Sequence, residues 1–114
     1  MISEYEKMAK LLKVLSDKNR LKIIDLLSCG ERCACDLLEA FEFTQPTLSH
    51  HLKVLADYQF IKSRKEGVWY HYRLNPEMND QITVFLSTLL TPKASCICHD
   101  QTICQCQNEK ERVL

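Results

Sequence analysis

Between Thr44 and Leu74 the apolar spacing of the chain switches from helical to alternating, and this switch limits the fold more than any other feature. Thr44-Gln45-Pro46 opens a helix, since proline is tolerated where first-turn amides lack intrahelical partners. Leu48, Leu52 and Leu55 mark its buried stripe, and Gln45, Thr47, Ser49, His50 and Lys53 form a polar face. Further on, Val68, Tyr70, Tyr72 and Leu74 alternate with Trp69, His71 and Arg73, the period-two pattern of a half-buried strand. Its expected partner is Phe60 to Arg64, with Lys65-Glu66-Gly67 between them, giving a β-hairpin with a basic tip.

The segments upstream read as helices. Ser3-Glu4-Tyr5-Glu6 has capping-box spacing, and Tyr5, Met8, Leu11, Leu12 and Leu15 follow at helical intervals. Ser16 is the expected cap of a second helix carrying Leu21, Ile23, Ile24, Leu26 and Leu27, which Gly30 ends. A short third helix is expected from Arg32 to Phe41, with Leu37, Leu38 and Phe41 inward. A short helix, a tight link and a polar-faced helix make a helix-turn-helix. Asn75-Pro76 begins a last helix with Met78, Ile82, Phe85, Leu86, Leu89 and Leu90 apolar, stopping near Pro92.

This order predicts a mainly α chain with a small β-hairpin, a winged helix-turn-helix. One DNA-binding and dimerisation domain is expected over residues 1–92, with a flexible, cysteine-rich tail over 93–114. The first and last helices are more apolar than one small core requires. A homodimer answers this, because palindromic duplex DNA needs two recognition helices about 34 Å apart.

Lys plus Arg equals Asp plus Glu over the whole chain, so net charge says nothing about nucleic acid. Residues 44–73, however, hold five basic side chains (Lys53, Lys62, Arg64, Lys65 and Arg73) against Asp57 and Glu66. Gln45, Thr47, Ser49 and His50 are therefore read as major-groove contacts. The five basic residues are read as phosphate contacts, with the hairpin tip in a neighbouring minor groove. His51 either turns back into the protein or reaches a phosphate, and Trp69 and the tyrosines are expected to pack. No apolar run is long enough for a membrane helix and no secretory signal opens the chain, which predicts a cytoplasmic protein without a membrane partner. With two glycines, no phosphate loop and no acid–base constellation, the chain is expected to be neither an enzyme nor a binder of a small organic substrate.

Seven cysteines in the cytoplasm point to metal or redox chemistry rather than a disulfide framework. Cys33 and Cys35 lie just upstream of the recognition helix, and thiolates select soft ions. On a regular helix, residues two apart point ~200° away from each other, so a shared ion would require the third helix to unwind at its start. Cys29, across the Gly30 turn, is either a third ligand or a small apolar residue at a helix end. Cys96, Cys98, Cys104 and Cys106, with His99, form a second cluster that either binds metal or is dispensable.

Thr44 to Leu55 (TQPTLSHHLKVL) resembles the recognition helix of the ArsR/SmtB family of metal-sensing repressors. Cys33-Ala34-Cys35-Asp36-Leu37 resembles that family's metal-box helix, and Gly67 to Leu74 (GVWYHYRL) its wing. The resemblance runs from about residue 5 to residue 90. It implies a homodimer that represses its own metal-resistance operon and leaves the operator when metal binds. The family's other site, on the last helix, is not carried over, because that helix has Asp80 but no histidine. The cadmium/lead branch recruits N-terminal cysteines, and residues 1–28 have none, which favours As(III) or Sb(III) as inducer over Cd(II), Pb(II) or Zn(II). These metalloids favour a pyramid of three thiolates, of which Cys33 and Cys35 supply two. Two other classes stay open: a redox sensor closing a Cys33–Cys35 disulfide, and a metal buffer built on the tail thiols.

Overall fold

The computed structural model describes residues 3–92 and is mostly helical with a small antiparallel sheet, a winged helix-turn-helix as expected. In order, its elements are α1 (Glu4–Leu15), α2 (Lys18–Leu27), β1 (Arg32–Cys33), α3 (Ala34–Leu38), α4 (Gln45–Asp57), β2 (Ile61–Glu66), β3 (Trp69–Leu74) and α5 (Pro76–Leu90). One compact unit ends at Val84 and a second begins at Phe85. Among the described residues, no helix is long and apolar enough to cross a membrane.

The Ser3 hydroxyl caps α1, accepting from the Glu6 amide at 3.1 Å, and Met8, Leu11 and Val14 are buried. The cap of α2 is one residue later than expected. The Asp17 carboxylate accepts from the Asn19 and Arg20 amides at 2.8 and 3.1 Å, while the Ser16 hydroxyl closes α1 by donating to the Lys13 carbonyl. A carboxylate serves two orphan amides and also complements the positive end of the helix, so aspartate takes the cap in preference to serine. Ile23 and Leu27 of α2, Leu37 of α3, Leu48, Leu52 and Leu55 of α4, and Phe60 and Ile61 form the continuous core.

The sheet has the order β1-β3-β2. Strand β1 lies within what the sequence suggested was the third helix, which is reduced to Ala34–Leu38. Arg32 pairs with Tyr72 and Cys33 with His71. The hairpin turn is also tighter than expected. Lys65 and Glu66 belong to β2, opposite Tyr70 and Trp69, and the connection is Gly67-Val68 alone. Gly67 has φ +64° and Val68 does not have positive φ, the pattern of a type II′ turn, whose twist matches that of the flanking strands where a type I or II turn would splay them.

Helix α4 ends in a Schellman arrangement. The Gln59 amide donates to the Ala56 carbonyl and the Phe60 amide to the Leu55 carbonyl, at 3.0 and 2.9 Å. Gln59 adopts φ +70° to make this turn, a conformation that favours glycine. Asn75 secures it from the start of α5, its side-chain amide donating to the Gln59 carbonyl at 2.9 Å and its backbone amide to the Phe60 carbonyl at 3.0 Å. Removing the Cβ should relieve more than the added chain entropy costs. Gln59→Gly is expected to raise the unfolding free energy by about 0.5–1 kcal/mol, read as a higher urea midpoint at unchanged slope.

Candidate functional site

The candidate nucleic-acid surface is the exposed face of α4. Gln45, Thr47, Ser49, His50 and Lys53 are all exposed, with Leu48, Leu52 and Leu55 buried behind them. Thr44 caps the helix through backbone geometry alone, and its hydroxyl lies 3.4 Å from that of Thr47. Lys53 pairs with Asp57 at 3.2 Å, both well exposed, a contact that solvent screens heavily.

His51 turns inward, which removes it from the set of phosphate contacts. It is 8% exposed, and its Nδ1 accepts from Arg20 Nε at 3.1 Å. Arg20 also donates to the Val14 carbonyl at 3.2 Å, so one guanidinium ties α4 to the end of α1 and the start of α2. The His51 ring lies against Phe43, with centroids 5.7 Å apart, and Phe43 stacks on Phe41. Burial holds the imidazole below its ordinary range; the nearby Asp17 carboxylate opposes this, and Arg20 and His50 reinforce it. The bond from Arg20 likewise requires an unprotonated Nδ1.

On the hairpin, Arg64, Lys65 and Arg73 are exposed and Lys62 is half-buried. Lys65 Nζ sits over the Tyr70 ring, 5.8 Å from its centroid. Trp69 and Tyr70 were expected to pack, yet they are 56% and 48% exposed, and Val68 in the turn reaches 80%. Tyr72 and Leu74, on the same face of β3, are half-buried as the alternation implied. Arg64 does not stand free. Its guanidinium meets Glu31 through Nε at 3.0 and 3.1 Å and through a terminal nitrogen at 2.5 Å, and it meets Glu66 at 2.7 Å.

Cys33 and Cys35 come together without any unwinding, which corrects the geometric expectation. Cys33 lies outside the helix: it is the N-cap of α3, in extended conformation at φ −81° and ψ 161°, and belongs to β1. Only Cys35 is helical, so the two side chains leave from different kinds of backbone and meet. The structure joins them as a disulfide, with Cα atoms 5.4 Å apart. The Cys33 sulfur also accepts from the Asp36 amide at 3.4 Å, the part a serine oxygen plays at other caps. Asp36, at the third helical position, brings its carboxylate within 4.8 Å of both sulfurs. Cys33 is the most enclosed of the three, while Cys35 and Asp36 are exposed.

Cys29 is exposed, which sets aside the buried-residue reading, and it lies outside the Cys33–Cys35–Asp36 group. Cys96, Cys98, Cys104 and Cys106 lie outside the described residues. Sequence reasoning missed Asp36, Glu31 and Arg20. The Cys33-x-x-Asp36 spacing was a usable signal, being that of a capping box with sulfur at its head. Glu31 and Arg64 are 33 residues apart and no local pattern joins them.

Residues 17–63 match the model of a family described as bacterial regulatory protein, arsR family. The chain is 49% identical over 102 residues to the arsenical resistance operon repressor of Staphylococcus xylosus, covering 90% of this chain and 98% of that one. It is 50% identical over 94 residues to the arsenical resistance operon repressor of Staphylococcus aureus, covering 82% and 90%. Among solved structures, it is similar to a homodimeric winged helix-turn-helix DNA-binding domain from Mycobacterium bovis, a possible ArsR-family regulator. That likeness has a TM-score of 0.61 and 27% identity, over 75% of this chain and 79% of that one.

The buried histidine gives the fold a pH dependence of definite sign. Its folded-state value lies below the unfolded one of about 6.5, so the unfolded chain binds the extra proton. His51 should add stability that is complete above pH ~6.5 and lost as pH falls from there through the depressed folded value. The urea midpoint should therefore drop more between pH 7 and pH 5 in the wild type than in His51→Gln. Equal drops would mean the histidine is protonated in place.

Proposed function

The chain belongs to the arsR family of bacterial regulatory proteins and is a transcriptional repressor, not an enzyme; on that premise we propose a homodimeric, cytoplasmic repressor of an arsenical-resistance operon. It binds double-stranded operator DNA through α4 and the hairpin and releases it when As(III) or Sb(III) is held by Cys33 and Cys35. The observation that carries this reading is the convergence of the two sulfurs where β1 meets α3.

Cys33 is placed to transmit what happens at its sulfur. It is the cap of α3, the first helix of the helix-turn-helix, and it pairs with His71 on the central strand of the wing. An ion shared with Cys35 competes with the Asp36 amide for the Cys33 sulfur and fixes the β1–α3 junction. Helix α3 packs on β3, β3 pairs with β2, and α4 packs on β2, so a change at this junction has a path to both parts that contact DNA. Only a difference in affinity between the two arrangements lets the ion shift their balance. A soft metalloid needs a third sulfur, which Cys29, a tail cysteine or an exogenous thiol supplies; the Asp36 carboxylate is a hard donor better suited to divalent ions.

The Cys33–Cys35 disulfide supports a second reading, in which oxidation of the same pair moves the same junction. Two arms separate the readings: arsenite under reducing conditions and peroxide without metalloid. The homodimer is supported by the homodimeric Mycobacterium bovis relative and by the exposed Tyr5, Val84, Leu89 and Leu90 on α1 and α5. Residues 1–92 are taken as the DNA-binding and dimerisation domain and 93–114 as an accessory cysteine-rich tail.

Cys33→Ser and Cys35→Ser should bind operator with wild-type affinity but keep it when arsenite is added, read by gel shift under reducing conditions. Normal release in both variants would remove the pair from the mechanism. Truncation after Leu90 is expected to leave operator binding intact, and a lost shift would give the tail a structural role; loss of arsenite release alone would assign the third sulfur to the tail.

A further inference from the structure

Arg64 sits where the two halves of the proposed switch meet. By strand register, Cys33, His71 and Arg64 form one row across β1, β3 and β2. Glu31, two residues before Cys33, grips the guanidinium with both carboxylate oxygens, and Glu66 holds its remaining terminal nitrogen at 2.7 Å. The hydrogen bonds from Arg64 hold both carboxyls below their usual range. All three side chains are partly exposed: 50% for Arg64, 30% for Glu31 and 65% for Glu66. In water such pairs exchange readily. The planar fork that fits a carboxylate also fits a phosphate, so the hairpin's best phosphate ligand is engaged by the protein's own acids.

We propose that Arg64 has two alternative partners, Glu31 and Glu66 in the free repressor and a backbone phosphate in the operator complex, with Glu31 a positioning residue that links the cysteine segment to the hairpin's hold on DNA. Fixing Cys33 and Cys35 fixes Glu31 as well, which favours the carboxylate-bound position of Arg64 over the phosphate-bound one. This last step rests on the reading of the cysteine pair as effector site. The exchange of partners does not.

The test uses full-length protein and labelled operator across a salt series, with Arg64→Gln, Arg64→Lys, Glu31→Gln and the double variant Glu31→Gln/Arg64→Gln. The homodimer carries Arg64 twice, so loss of one phosphate contact per protomer should flatten the slope of log affinity against log salt by about 1.8 in Arg64→Gln, whereas Arg64→Lys, which keeps the charge, should retain it. Glu31→Gln should bind several-fold tighter at low salt and lose less affinity on arsenite addition than the wild type. In the Arg64→Gln background, Glu31→Gln should change nothing. An unaltered slope in Arg64→Gln, or an effect of Glu31→Gln that persists without Arg64, overturns the proposal. If Cys33→Ser still releases on arsenite while these slopes hold, the effector-site reading fails and the exchange stands.

Discussion

The short ladder between β1 and β3 is the constraint on which the rest depends. It is only two residues long, but it puts Cys33 in register with His71 and so makes the cysteine segment part of the wing. Without it, the cysteines would sit on an isolated helix and could act on DNA only through the packing of α3 against its neighbours. With it, one residue is at once strand, helix cap and sulfur donor. A cap is a sensitive place for a ligand, because the first amides of a helix depend on whatever accepts from them. In α3 that acceptor is the atom a soft ion would take.

Much of the architecture was legible in the sequence. The 3–4 spacing of Leu48, Leu52 and Leu55 reports a periodicity that burial enforces, while the alternation before Leu74 marks a strand whose inward set is half-buried at Tyr72 and Leu74 and exposed at Val68 and Tyr70; both segments lie where expected. Boundaries were less legible because they turn on single contacts. Asp17 rather than Ser16 begins α2, since a carboxylate satisfies two amides where a hydroxyl satisfies one. Strand β1 was hidden because two residues cannot show a period, and its reason for being extended lies on β3, about forty positions away.

The site divides along the same line. The polar residues of α4 were readable because they face away from an apolar stripe, and the cysteine pair because its chemistry is rare. How the pair is arranged was not readable, since the expected geometry assumed a helix in which Cys33 takes no part. His51 left two outcomes open, and the partner that decides between them, Arg20, lies on another helix. Once there, the histidine joins α1, α2 and α4 through a single guanidinium, so the recognition helix is anchored by a polar contact as well as by leucines.

The turn at Gly67-Val68 has a practical corollary. It lifts the chain's single tryptophan, Trp69, to the end of the hairpin and leaves it largely open to water. Tryptophan emission from this repressor therefore comes from the hairpin alone. The molecule carries its own optical probe at the end of the hairpin, with no second indole to blur the signal.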